Sequence, residues 1–143
     1  MDLRLLALLA VLVLAACGGD DDESAPATVT TAETSSCVAA ASDMMAPLGG
    51  RVTLEDGRLR DGRMVQSTAS PDWWFVAAEL DGPGYEDEGD VVTFATTSQF
   101  GGEAIFAVDE LARAQTSLRD VAEADGVQGD DPAAAEARAC LGG

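Results

Sequence analysis

The segment Trp73–Leu80 (WWFVAAEL) constrains the fold more than any other part of this chain. As a strand it places Trp74, Val76, Ala78 and Leu80 on one face and Trp73, Phe75, Ala77 and Glu79 on the other. A strand with one wet face alternates apolar and polar residues, whereas this one is largely apolar on both. It is therefore expected at the centre of a sheet covered, at least in part, on both sides. Trp73 and Trp74 are expected in the core, one on each face, the alternative being one ring exposed to a sugar or a partner.

The surrounding sequence supplies neighbours for this strand. Met64–Ala69, Val91–Thr97 and Ala104–Val108 have strand character, the last following the Gly101-Gly102 turn. Turn-length connections between consecutive strands predict an antiparallel meander of about four strands. Asp56-Gly57 and Asp61-Gly62 are pairs favoured in two-residue hairpin turns, so a short pairing of Val52–Glu55 with Arg58–Arg60 is also expected. A first helix is expected over Cys37–Met45, capped by Ser35 or Ser36 and ended by Pro47 and Gly49-Gly50. Asp109 caps a second, Glu110–Ala122, in which Leu111, Ala114, Leu118 and Val121 recur at helical spacing. Asp131-Pro132 starts a third, which runs to about Leu141 and stops at Gly142. These elements define an α+β class and one domain, residues 36–143.

Ahead of the domain the chain changes character. Leu5–Leu14 is apolar without interruption, Arg4 precedes it, and Ala15-Ala16 are small residues placed before Cys17. The apolar stretch is too short to span a bilayer, which takes about 20 residues, and its three parts are those of a signal peptide. Leu14-Ala15-Ala16-Cys17 resembles the lipobox of bacterial lipoproteins. That resemblance implies cleavage after Ala16, a diacylglycerol on the Cys17 thiol, and a protein held by lipid on the outer face of the cell membrane. Residues 17–35 open with Gly-Gly-Asp-Asp-Asp-Glu and continue in Ser, Thr, Ala and Pro. They read as an acidic, disordered tether that cannot bury a core. Trp73–Asp109, with the closing Cys140, is also similar to small actinobacterial lipoproteins, a family that brings no activity with it.

Export gives the other two cysteines a meaning. An even pair beyond the lipid-bearing cysteine reads as a disulfide in an oxidising compartment. Cys37 and Cys140 are therefore expected to be bonded, tying the first helix to the last on one face of the sheet. The alternative is two buried free thiols.

Charge and missing residue types narrow the chemistry. The chain carries 26 acidic and eight basic residues and a net charge of -18. Nucleic acid demands a basic footprint, so it is excluded as a partner. All eight bases are arginine, and there is no histidine or lysine. That removes the usual general base, the Ser-His-Asp arrangement, and Ser-Lys or Schiff-base chemistry. No Cys-x-x-Cys pair and no Gly-rich phosphate cradle is present, and no cofactor is implied. Carboxylate chemistry remains, and a two-carboxylate hydrolase is the third-ranked reading.

Two clusters stand as candidate sites. The loop Asp81–Asp90 sets Glu86, Asp87, Glu88 and Asp90 between two strands, and oxygen ligands suit calcium. Its spacing matches no known calcium loop, and a solvated hairpin tip is the bland alternative. Arg51, Arg58, Arg60 and Arg63 hold half of the positive charge. They form either an anion- or partner-binding patch, for a wall polymer or another envelope protein, or a set of arginines paired with nearby acids. The leading expectation is a non-enzymatic binding or accessory module of the cell envelope. A small-ligand or calcium sensor using the Asp81–Asp90 loop comes second.

Overall fold

A computed structural model of the chain describes residues 36–86, 89–102 and 104–142. Two units divide the chain, Met1–Ala32 and Glu33–Gly143, and every described residue belongs to the second. The lipobox, Cys17 and residues 17–35 lie outside the described residues, as do Asp87 and Glu88.

Among the described residues six strands form one sheet in chain order: β1 (Val38–Ala39), β2 (Arg58–Gln66), β3 (Trp74–Asp81), β4 (Val91–Thr96), β5 (Ile105–Ala107) and β6 (Arg119–Asp120). The first five pair antiparallel, and β6 runs parallel to β5. Three helices complete the α+β domain among the described residues: α1 (Ser42–Gly49), α2 (Glu110–Gln115) and α3 (Pro132–Ala139). A single 3-10 turn, Val121–Glu123, follows β6. No helix among the described residues is long and apolar enough to cross a membrane.

The central strand behaves as its side chains require. Phe75 and Ala77 pack with Trp73, Phe106, Val121 and the α3 alanines 133, 134 and 137 on one face. Val76, Ala78 and Leu80 pack with Met44 and Leu48 of α1 and Ala112 of α2 on the other. Both faces are thus dry, and the sheet is the middle of three layers. Trp73 is buried on the α3 side, where its ring lies 5.9 Å from that of Phe106, and Trp74 is half-buried on the opposite side.

The sheet is mixed and wider than the expected four-stranded meander, because two short edge strands, β1 and the parallel β6, fall in segments expected as helix. Val38–Ala39 is a strand, with Val38 opposite Met64, Ala39 opposite Arg63 and Ala40 N–H donating to Gly62 O at 2.9 Å. The first helix therefore starts at Ser42 and carries Pro47 inside it rather than ending before it. The expected helix Glu110–Ala122 stops at Gln115. Thr116 turns extended and its hydroxyl bonds back to Ala112 O at 2.7 Å. Segment 51–53 then takes up the freed backbone, with Thr53 N–H donating to Gln115 O and Ser117 N–H to Arg51 O. These tertiary bonds override the apolar spacing of Leu118 and Val121, and α2 becomes the crossover that a parallel β5–β6 pair needs. Val52–Glu55 does not pair with Arg58–Arg60; its one ladder contact among the described residues is the Val52–Thr116 bridge.

Asp61-Gly62 is a bulge, not a turn. Arg60 pairs with Glu79 and Arg63 with Ala77, so three steps on β2 match two on β3. Asp61 takes a positive φ of 51°, the conformation that marks the pair in sequence. A side chain at Gly62 would overlap the Met45 sulfur and the Ala40 Cβ, so α1 can lie against the bulge only over glycine. Asp56-Gly57 does turn, with Gly57 N–H donating to Leu54 O at 2.9 Å.

The disulfide Cys37–Cys140 is present, with the Cα atoms 6.0 Å apart. It does not bring the first and last helices to one face. Cys37 precedes an edge strand, and from that edge α1 crosses to the face opposite α3.

Candidate functional site

The bulge determines where the arginines of β2 point. Arg58 and Arg60 share a face by simple alternation, and the extra residue at Asp61-Gly62 returns Arg63 to that face. Their cross-strand partners are Asp81, Glu79 and Ala77, all on the α3 side of the sheet. Leu59 and Met64 point the other way, into the cluster built around α1. β2 therefore presents a cationic face and an apolar face along one edge.

One carboxylate serves two of these guanidiniums. Asp81 Oδ2 accepts from Arg58 Nε at 2.5 Å and lies 3.7 Å from Arg60 Nε. The Arg58 side chain is 72 % exposed, so the pair adds little to stability and chiefly fixes orientation. The Arg63 side chain has no ion-pair or hydrogen-bond partner among the described residues. Arg51 lies apart from the stripe, after α1, with its carbonyl bound by Ser117 N–H. The four expected patch residues are thus three plus one.

Beside the stripe, the outer side of β2 is only partly covered. β1 pairs with Arg63 and Met64, and Ala40 bonds Gly62, but Arg58–Asp61 has no outer strand partner among the described residues. A groove of about 330 Å³ lies along this open edge, lined by Ala40, Met45, Leu59, Arg60, Asp61 and Arg63.

The acidic loop is held at its base and does not assemble a cation site from the residues described. Tyr85 N–H donates to Gly82 O at 2.9 Å, and the Tyr85 hydroxyl accepts from Gln115 Nε2 at 3.0 Å, which fastens the loop to α2. Glu86 Oε1 accepts from Gly84 N–H, and Asp90 holds Leu80 N–H through its carbonyl. Asp81, at the start of the loop, is engaged by Arg58. Among the described residues no three carboxylates or cysteines converge as metal ligands; Asp87 and Glu88 stand outside that statement.

A second concavity had no sequence signal beyond its acids. It is a cleft of about 650 Å³ where the β2–β3 connection meets residues 124–132, lined by Ser70, Asp125, Gln128, Asp130, Asp131 and Pro132. The buried Asp131 belongs to the structure of this corner. Its Oδ1 accepts from Ala133 N–H at 2.9 Å, capping α3, and its Oδ2 accepts from the Ser67 hydroxyl at 2.6 Å. Ser67 Oγ in turn accepts from Ser70 N–H at 2.8 Å. The cap was legible in Asp131-Pro132; the long-range bond to Ser67 was not.

No protein-family model matches this chain, and no curated protein or solved structure matches it either.

Proposed function

We propose that this chain is a lipid-anchored protein of the outer face of the cell membrane whose α+β domain binds or assists another envelope component without catalysing a reaction of its own. The observation that carries the reading is the Cys37–Cys140 disulfide. Such a bond persists in an oxidising, extracytoplasmic compartment, which is the compartment that the Leu14-Ala15-Ala16-Cys17 lipobox addresses. Two independent features of the chain therefore ask for export.

The anchor meets the physical need of a body this acidic. A net charge of -18 is repelled by anionic headgroups, so the domain needs a covalent hydrophobic attachment to stay at the surface. A diacylglyceryl group supplies two chains, enough for stable binding where one is marginal. The tether 17–35 would then hold the domain away from the lipid.

The test is fractionation and crosslinking of cells making the full chain or its Cys17→Ala variant. The native chain is expected in the membrane fraction, crosslinked to one envelope protein in near-equal amount. The variant is expected to leave the membrane. A Cys17→Ala chain that stays membrane-bound would overturn the anchor, and a native chain with no reproducible partner would overturn the accessory role.

A further inference from the structure

From the open edge of β2 we propose that Arg58–Asp61 is a docking site for an extended peptide segment of a partner protein, added as an extra strand, with acidic residues on one face and apolar residues on the other. The proposal supplies a surface and a partner chemistry for the accessory reading, and it rests on that reading only in requiring a protein partner; it needs no anchor.

Three observations converge on this edge. First, residues 58–60 are held in strand geometry by β3, up to the bulge at Asp61, while the outer side of residues 58–61 has no strand partner among the described residues. An incoming strand would find its hydrogen-bonding partners already ordered. Three residues of strand offer about 10 Å of edge at roughly 3.3 Å per residue. Second, the groove beside the edge provides walls of two kinds. Leu59 and Met45 line it with apolar surface, while Arg60 and Arg63 stand on the other face. Alternate side chains of an added strand would meet these two walls in turn. Third, positive charge is concentrated here, with Asp81 and Glu79 on the same face and Asp61 in the groove as the acids beside it. In a chain with eight bases and 26 acids, three arginines share one face of β2, and Asp81 is their one ion-pair partner among the described residues.

The same arginines decide against a second copy of the chain. Edge strands are commonly protected by charge and by bulges. Antiparallel pairing of two β2 edges would set Arg58 and Arg60 of one copy against those of the other, and like charges directly opposite are destabilising. What repels the identical edge attracts an acidic one, so the charges confer selectivity as well as protection.

The experiment uses the full chain in detergent micelles, titrated with an end-blocked five-residue peptide alternating glutamate and valine. Amide NMR shifts and hydrogen exchange are followed. Saturable shifts and slowed exchange are expected at residues 58–61, with at least tenfold weaker binding for Arg63→Glu. A peptide alternating lysine and valine should not saturate. Arg63 is exposed, so the variant's thermal midpoint should match the native one. Absence of saturable shifts at millimolar peptide, an equal response to the lysine peptide, or shifts confined to another surface would each overturn the proposal. Movement of the 58–61 resonances when Asp20, Asp21, Asp22 and Glu23 are changed to Ser, without peptide, would put the chain's own acidic lead there and overturn it as well. Failure here leaves the fractionation of Cys17→Ala untouched, so the two readings fail separately.

Discussion

Cys37 and Cys140, 103 residues apart in sequence, are bonded across the domain and join the strand at one sheet edge to the end of α3. Most of the described chain lies inside the loop they close. In the chain-entropy model a bridge over such a loop stabilises by roughly 4–5 kcal/mol, comparable to the whole stability of a small domain. Reduction, or Cys140→Ser, is therefore expected to bring the midpoint of urea unfolding close to zero denaturant. A chain that melts cooperatively with little change after reduction would show that the two cores suffice without the bond.

Gly101 lies against α1 where the helix carries Pro47. Pro47 has no N–H for Asp43 O, and a Cβ on Gly101 would sit 2.7 Å from that carbonyl. The glycine also holds φ at +80°, a conformation that costs other residues energy. Gly101→Ala is expected to destabilise by about 1–3 kcal/mol, since strain and overlap act together. Gly102→Ala, with its nearest neighbour at 3.4 Å, is the control and should change the urea midpoint far less.

The sheet's centre was legible because Trp73–Leu80 carries its own instruction: apolar on both faces, it has one place to go. The caps at Asp109 and Asp131 were legible too, since a side-chain oxygen ahead of a helix satisfies an otherwise free N–H. What misled was local pattern with a non-local outcome. Leu118 and Val121 keep helical spacing, yet Thr116 and Ser117 leave the helix once segment 51–53 takes up the neighbouring backbone. Asp61-Gly62 announces a positive φ, which a hairpin turn and a bulge require alike; only the pairing of β2 with β3 tells them apart. Of the candidate site, the arginines were visible as residues but not as a face. The bulge that aligns Arg63 with Arg58 and Arg60 depends on register, and spacing alone would have put Arg63 on the opposite side.

Asp81 holds Arg58 and Arg60 at the surface, and its removal should matter for orientation more than for stability. Asp81→Asn is expected to cost less than about 1 kcal/mol in urea unfolding, the usual scale for exposed pairs. The same variant should make peptide binding at the β2 edge more sensitive to salt, because two unneutralised guanidiniums then face the ligand. A loss well above that scale would mean that the ion pair is structural and that β2 depends on it for its register.

Among the described residues, Ser67 and Asp131 form the one buried side-chain pair that fastens the β2–β3 connection to the start of α3. Asp131→Ala removes the helix cap and leaves the Ser67 hydroxyl without its acceptor; a lost cap costs about 1 kcal/mol and a stranded buried group about 1–3 kcal/mol more. A total near 2–4 kcal/mol is expected on that basis. Ser67→Ala leaves the cap intact, because Asp131 Oδ1 still accepts from Ala133 N–H, and should cost less. The double variant should cost clearly less than the sum of the two, since residues sharing a bond couple by roughly 0.5–3 kcal/mol. Strict additivity in urea unfolding would show that the 2.6 Å contact contributes nothing, and that Asp131 acts on α3 alone.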